Sequence, residues 1–310
     1  MTRFRSAAVR VRVPATSANL GPGFDSLGLA LRLYDEVTAR VTGTGVRVRV
    51  SGEGAGELPG DGTHLVARCA LATFDRLGGR PAGLELTCFN RIPQARGLGS
   101  SSAAIVAGIL AARALVDGGT GLLDDPAVLR LASEIEGHPD NVAPCLLGGF
   151  TIAWEEDGAR AVRLVPADGV DLLVFVPAER GLTAHARAAL PATVPHPDAA
   201  RNAGRAALLV HALTAEPALL LPATEDRLHQ DYRAPAMPAT SALVRQLRAV
   251  GIPAVVSGAG PSVLAFARPD ETPVTPGWQV LEVGIDADGA VVEVDSQHAE
   301  RGPVAAGRAS

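Results

Sequence analysis

Val9 to Val13 reads VRVRV, apolar and polar in strict alternation, which predicts a strand with one face buried. Val46 to Val50 repeats the pattern, and Leu84 to Phe89 (LELTCF) continues it. Thr63 to Leu77 has helical spacing, with Leu65, Ala72 and Leu77 near one face. Ala103 to Val116 is apolar almost all round, which predicts a helix buried on every side. Asp125 followed by Pro126 sets an N-cap and an N1 proline for a helix to about Glu136. Gly148 to Trp154 (GGFTIAW) reads as a glycine turn entering a strand.

A second unit opens near residue 165, after a change of composition between Glu155 and Asp168. Val170 to Val176 is an unbroken apolar run of the fully buried strand type, and Ala199 to Leu213 is helical. Ser241 to Ala249 predicts another helix, with Gly251 placed to end it. Ala254 to Ser257 and Ser262 to Ala267 are short strands around a glycine turn. Strands and helices mix without βαβ repetition, which favours α+β. The expected division is 1–160 and 161–295, with a frayed tail over 296–310 that holds few large apolar residues.

Charge narrows the function classes. The net charge is -5, which argues against a nucleic-acid surface. All 28 basic residues are arginine. Without lysine there is neither a Schiff-base mechanism nor a standard P-loop, whose lysine reaches the β- and γ-phosphates. Three cysteines without a CxxC pair make a disulfide framework or a zinc site an unfavoured reading. The first residues lack a signal-peptide core, and Ala103 to Ala112 is too short to cross a bilayer. The expectation is a soluble, cytoplasmic protein with no membrane or nucleic-acid partner.

Three motifs carry chemistry. Pro93 to Ala103 (PQARGLGSSSA) runs from a glycine loop into the apolar helix. A helix start presents unpaired N–H groups and the positive end of the dipole, so these amides suit a triphosphate in place of the missing lysine. The alternative, a plain Gly/Ser loop with a serine cap, is weakened because a helix buried all round cannot slide. Ser133 to Pro144 (SEIEGHPDNVAP) ends a helix on Glu134 and Glu136, where the dipole disfavours negative charge and a divalent cation would compensate. A solvated helix end with an Asx-turn stays open there, and His138 by itself reads as a structural hydrogen-bonder. Pro14 to Gly28 (PATSANLGPGFDSLG) gathers polar side chains on a glycine-shaped loop, and Ser257 to Ser262 (SGAGPS) brings backbone close to a ligand. Both also read as simple turns.

Together these pieces resemble the GHMP small-molecule kinases over most of residues 9–267, in that family's order. PQARGLGSSSA is similar to its ATP-binding signature, and SGAGPSVLAF to its third, glycine-rich motif. PATSANLGPGFDSLGLAL with EGHPDNVAPCLLGGF resembles the homoserine kinase branch, since related kinases place Asp near where Asn141 stands. The resemblance implies an N-terminal domain like domain 2 of ribosomal protein S5, a C-terminal ferredoxin-like domain and an active site between them. It implies a phosphotransferase with an alcohol acceptor, turning ATP and L-homoserine into ADP and O-phospho-L-homoserine on the path to threonine, with Mg²⁺. A homodimer is compatible with it.

By the same resemblance, Pro93, Gln94, Ala95, Arg96, Gly97, Leu98, Gly99, Ser100, Ser101, Ser102 and Ala103 would bind ATP. Glu134 would hold Mg²⁺, helped by a motif serine such as Ser101. Asn19, Asp25, His138, Asp140, Asn141, Thr183, Arg187, Arg233 and Gly260 would line the substrate pocket, with Asn141 and Arg187 catalytic. Chemistry agrees with the set: a zwitterion's carboxylate wants a guanidinium fork, from Arg187 and Arg233, and its ammonium wants Asp25. Asn141 would orient the reacting hydroxyl without acting as a base, Asp140 or His138 as base being the alternative. The chain departs from the family at His64, where Asn is common, in the region that helps hold the nucleotide base. A kinase for mevalonate, shikimate or a sugar, and an inactive ATP-binding sensor, are the competing readings.

Overall fold

The computed structural model describes residues 2–181 and 183–295, with backbone only for 183–185. The expectations for Thr183 and for the 296–310 tail therefore lie outside the described residues.

The VRVRV alternation does what it predicts. In β1 (Val9–Ala18) Val9, Val11 and Val13 are fully buried while Arg10 is exposed. The strand continues past Pro14, where the ladder shifts register, so Thr16 and Ser17 lie on a strand and not in a loop. A proline has no N–H for the ladder, which is why the irregularity sits there. β2 (Leu27–Thr42) is a 16-residue strand that the sequence pattern does not announce. It pairs with β1 along its length, then divides its other edge between two partners, β4 and β5. β3 (Gly45–Gly52), α1 (Leu65–Arg76) and β4 (Gly83–Asn90) follow, with β3 parallel to β4.

α2 (Ser100–Leu115) is buried along almost its whole length and packs on β1, β2 and α1. Ile105, Ile109 and Leu110 are at most 1% exposed. Sliding this helix would expose side chains worth about 2 kcal/mol each, so its N-terminus is fixed in space. α3 (Gly119–Leu122), α4 (Asp125–Glu136) and α5 (Val142–Leu147) lead to β5 (Phe150–Glu155) and β6 (Ala159–Leu164). Asp124 caps α4 by accepting from the Ala127 N–H at 2.8 Å, one residue before the expected cap.

The second sheet begins with β7 (Leu172–Pro177), buried on both faces as its unbroken apolar run predicts. Leu172, Val174 and Val176 join the core of the first sheet, while Leu173 and Phe175 join a second cluster with Leu243 and Leu247. After it come α6 (Thr183–Ala188), α7 (His196–Thr214), α8 (Leu220–Ala223), α9 (Gln230–Arg233) and α10 (Pro238–Ala249). The chain closes with β8 (Ala254–Val256), β9 (Val263–Ala265), β10 (Trp278–Val283) and β11 (Val291–Val294). The first sheet runs β11-β1-β2-β4-β3, with β5 and β6 joined through β2, and the second runs β10-β7-β9-β8. The last strand thus returns to edge the first sheet. Among the described residues no helix is long and apolar enough to cross a membrane, and the three cysteines are buried and unbonded.

Candidate active site

Five connections meet at the start of α2: the turn after β1, the loop before α2, the turn between α4 and α5, the β8–β9 turn, and the α6 and α9 region. Gly99 stands before α2 with φ +70°, and its α-carbon lies against Thr16 and Asn141, where a Cβ has no room. Gly97, at φ +72°, is pressed in the same way against the Ser257 and Gly260 carbonyls. The Ser257 hydroxyl donates to the Gly97 carbonyl at 2.7 Å, so the third motif braces the first. Ala103 N–H donates to the Gly99 carbonyl, which leaves the N–H groups of Ser100, Ser101 and Ser102 as first-turn donors without an intrahelical partner. The one cation of this loop does not face them. The Arg96 guanidinium donates to the carbonyls of Gln94, Pro177 and Ala178 at 2.7, 2.9 and 2.7 Å and ties the loop to the second sheet.

The acidic helix end resolves into two different residues. Glu136 accepts from the Ser101 hydroxyl at 2.8 Å and from the Ser102 hydroxyl at 2.9 Å. Glu134, chosen from the sequence as the metal ligand, points away and pairs with Arg76 on α1 at 2.7 Å. Two residues along a helix is a turn of about 200°, so only one of the pair can face α2. Glu136 with the Ser101 hydroxyl is a hard-oxygen set of the kind Mg²⁺ takes alongside phosphate oxygens. Among the described residues no group of three or more His, Cys, Asp or Glu side chains could hold a metal unaided.

Beyond Glu136, His138 Nδ1 lies 2.6 Å from Asp140 Oδ1, and this bond raises the imidazole pKa above its ordinary value. Asn141 precedes α5, and its Oδ1 accepts from the buried Thr16 hydroxyl at 2.8 Å. That bond fixes the amide, so the NH₂ group is the part left for the cavity.

Opposite stand three charged groups. Asp25, held at φ +54°, receives both terminal nitrogens of Arg187 at 2.9 Å each, a fork on a carboxylate. Asn19, at φ +68°, shapes this turn by accepting the Asp25 N–H and donating to the Gly258 carbonyl. Arg233 is 2% exposed and has no carboxylate partner among the described residues. Its Nε donates to the Ala186 carbonyl and one terminal nitrogen to His229 Nδ1, while burial, then Arg187, lowers its pKa from the ordinary arginine value. His229 in turn bonds the Gly21 carbonyl at 2.8 Å, and Phe24 stacks on its ring beneath both guanidiniums.

These side chains enclose a cavity of about 270 Å³. Asn19, Asp25, His138, Asp140, Asn141, Arg187 and Arg233 line it with Ala95 to Ser101 of the glycine loop, Arg96 excepted. Gly260 does not: it lines a separate cavity with Met237 and Pro238, and Gly258 and Ala259 take its place. On the other side of the α2 start lies a second, more apolar cavity of about 270 Å³, which Gln94 and Ala103 line together with Ala95, Ser100 and Ser101. Pro93 reaches neither. Sequence reasoning placed Glu136 beside Glu134 at the acidic helix end but took Glu134 as the metal ligand, and it missed Thr16, Phe24 and His229 as working parts. Thr16 and Phe24 sat inside a quoted motif, but nothing in one dimension shows that Thr16 meets a residue 125 positions later.

Residues 64–149 match the family model for the GHMP kinases N terminal domain, and residues 198–274 that for GHMP kinases C terminal. A homoserine kinase of Streptomyces avermitilis is 63% identical over 93% of this chain and 97% of its own length. One from Clavibacter michiganensis is 52% identical over 92% of this chain and 94% of its own. Among solved structures, the homoserine kinase from Cytophaga hutchinsonii superposes with a TM-score of 0.80 at 28% identity, covering 94% of this chain and 99% of that one.

Proposed function

The chain belongs to the GHMP kinase family, and from that premise we propose that it works as a homoserine kinase, moving the γ-phosphoryl group of ATP to the side-chain hydroxyl of L-homoserine. The observation that carries the choice of substrate is Arg233, a buried guanidinium at the cavity wall with no carboxylate partner among the described residues. A buried cation needs an anion, and an amino-acid carboxylate brings one. The Asp25–Arg187 pair strengthens the reading. A zwitterion entering between them gives its ammonium to Asp25 and its carboxylate to the guanidiniums, exchanging one ion pair for two. A neutral sugar has nothing to offer either charge.

The triphosphate lies at the α2 N-terminus, where fixed main-chain N–H groups and the helix dipole meet its charge without lysine. Glu136 and Ser101 would hold Mg²⁺, which when bound neutralises phosphate charge. The acceptor hydroxyl receives a hydrogen bond from the Asn141 NH₂ and keeps a lone pair free for phosphorus. An amide cannot take the proton. Asp140 raises the His138 pKa above its ordinary value, and the protonated ring supplies positive charge near the transferring group. In a loose transition state alignment and charge carry the reaction, so the hydroxyl proton leaves late, to a phosphate oxygen.

The test is ADP release in a coupled assay with homoserine, mevalonate, shikimate and galactose as acceptors. Turnover with homoserine alone is expected. Binding of ATP and homoserine without turnover would convict the chain of being a sensor, and turnover with a neutral acceptor would remove the charge argument. A limb of the pH–rate profile near 6–7 that vanishes in His138→Ala would replace the base-free step with a histidine base.

A further inference from the structure

The second cavity, across α2's first turn from the acceptor site, is lined by a carboxylate with unspent bonding capacity. Asp35, on β2, is 7% exposed and is the one carboxylate in the cavity's lining. Its Oδ1 accepts the N–H groups of Arg91 and Ile92 at 2.7 and 2.9 Å. Its Oδ2 has no hydrogen-bond partner among the described residues, and the residue lines the cavity. Burial raises the carboxyl pKa to about 6, with Glu53 adding to the shift and Arg91 opposing it, so the group is ionised at neutral pH and is a pure acceptor.

His64 lines the same cavity at 3% exposure. Its Nδ1 accepts the Val66 N–H at 3.2 Å, and burial lowers its pKa. The neutral ring therefore carries its proton on Nε2, which is enclosed by protein and has no partner among the described residues. Buried polar groups are normally satisfied, so a carboxylate oxygen left open on this largely apolar cavity points to an occupant. It must fit a largely apolar cavity and bring a donor for Asp35.

We propose that Asp35 selects the base of the nucleotide: its free Oδ2 accepts a hydrogen bond from the amino group at position 6 of a purine. This rests on the reading of the chain as an ATP-dependent kinase. Adenine has a single exocyclic donor, the 6-amino group, flanked by ring nitrogens that accept. In a 6-oxopurine an oxygen replaces the amino group and turns its lone pairs on the carboxylate.

The experiment is calorimetric titration of the full chain with Mg²⁺ complexes of ATP, purine riboside triphosphate (hydrogen at position 6), ITP and 2′-deoxy-ATP. Wild type is expected to bind ATP at least about tenfold more tightly than purine riboside triphosphate, as a hydrogen bond to a charged acceptor supports. ITP binds more weakly still. Asp35→Asn keeps an oxygen for the Arg91 and Ile92 amides and turns an NH₂ to the cavity. In it the ratio of ATP to purine riboside triphosphate falls to about one, and ITP gains on ATP. If Asp35 only clamps the Arg91–Ile92 backbone, Asp35→Asn weakens all four nucleotides alike and leaves the ratios unchanged, which overturns the proposal. An equal affinity of wild type for ATP and purine riboside triphosphate also overturns it. So does a dependence on Asp35 that tracks the 2′-hydroxyl. ADP release with homoserine, measured on the same preparations, reports on the kinase reading separately. A chain that binds with these ratios but turns nothing over loses that reading alone.

Discussion

Replacing Glu134 and Glu136 one at a time by alanine separates two carboxylates that the sequence leaves indistinguishable. The Glu134–Arg76 pair is exposed on both sides, with side-chain exposures of 58% and 53%. Such a pair contributes about 0–1 kcal/mol to stability, so Glu134→Ala is expected to shift the melting temperature slightly and to leave turnover within about twofold of wild type. Glu136 receives two hydroxyl bonds at the mouth of α2, each worth about 1.5–3 kcal/mol to a charged acceptor, and on the proposed reading it stands beside the triphosphate. Losing a preorganised electrostatic group of this kind costs about 10²–10³ in rate, or ~2.7–4 kcal/mol of barrier. Glu136→Ala is therefore expected to lose that much kcat/KM and to need more Mg²⁺ for half-maximal rate. The assay is coupled ADP release with homoserine over a Mg²⁺ series, with circular dichroism melts to confirm folding. If Glu134→Ala lost more than about tenfold while Glu136→Ala kept wild-type kinetics, the geometric assignment would be wrong.

Further outcomes test the frame around this site. Gly99→Ala forces an L-residue into φ +70° at about 1–2 kcal/mol and drives its methyl into Thr16 and Asn141, so ATP affinity measured by calorimetry should fall well before the melting temperature collapses. Thr16→Val removes the donor that fixes the Asn141 amide. A drop in kcat of about two- to tenfold is expected, with the KM for ATP little changed and Thr16→Ser restoring the rate. An NMR titration should find the His138 pKa above 6.5 in wild type and lower in Asp140→Asn. Because the folded value is the raised one, the stability from this pair is complete below about pH 6.5 and fades as pH climbs through the folded pKa. Denaturant midpoints across pH 6–9 should show wild type losing its margin over Asp140→Asn; a constant margin would mean the pair does not titrate there.

Local pattern was enough to place most elements. VRVRV forms its strands, the apolar run at 172–176 is a doubly buried strand, and the helix after GLGSSS is buried all round, because each depends on periodicity that neighbouring residues carry themselves. β2 escaped because its first half, Leu27 to Leu31, is buried on both faces and so has no alternation, and its length is set by three partner strands. β11 escaped because four residues bear no periodic signal until β1 supplies an edge.

By itself the sequence determined the chemical vocabulary: an all-arginine chain, a glycine loop feeding an immobile helix, an acidic helix end, and a turn carrying Asp140 and Asn141. Only tertiary structure decided how those words combine. It turned Glu136 rather than Glu134 toward α2 through the 200° between them, withdrew Arg96 to bind carbonyls, kept Gly260 out of the cavity that Asn141 lines, and left Arg233 buried with no carboxylate partner among the described residues. The reason is directional. Composition and spacing say which groups are near a site along the chain, whereas a side chain's bearing and its unspent hydrogen bonds depend on partners scores of residues away.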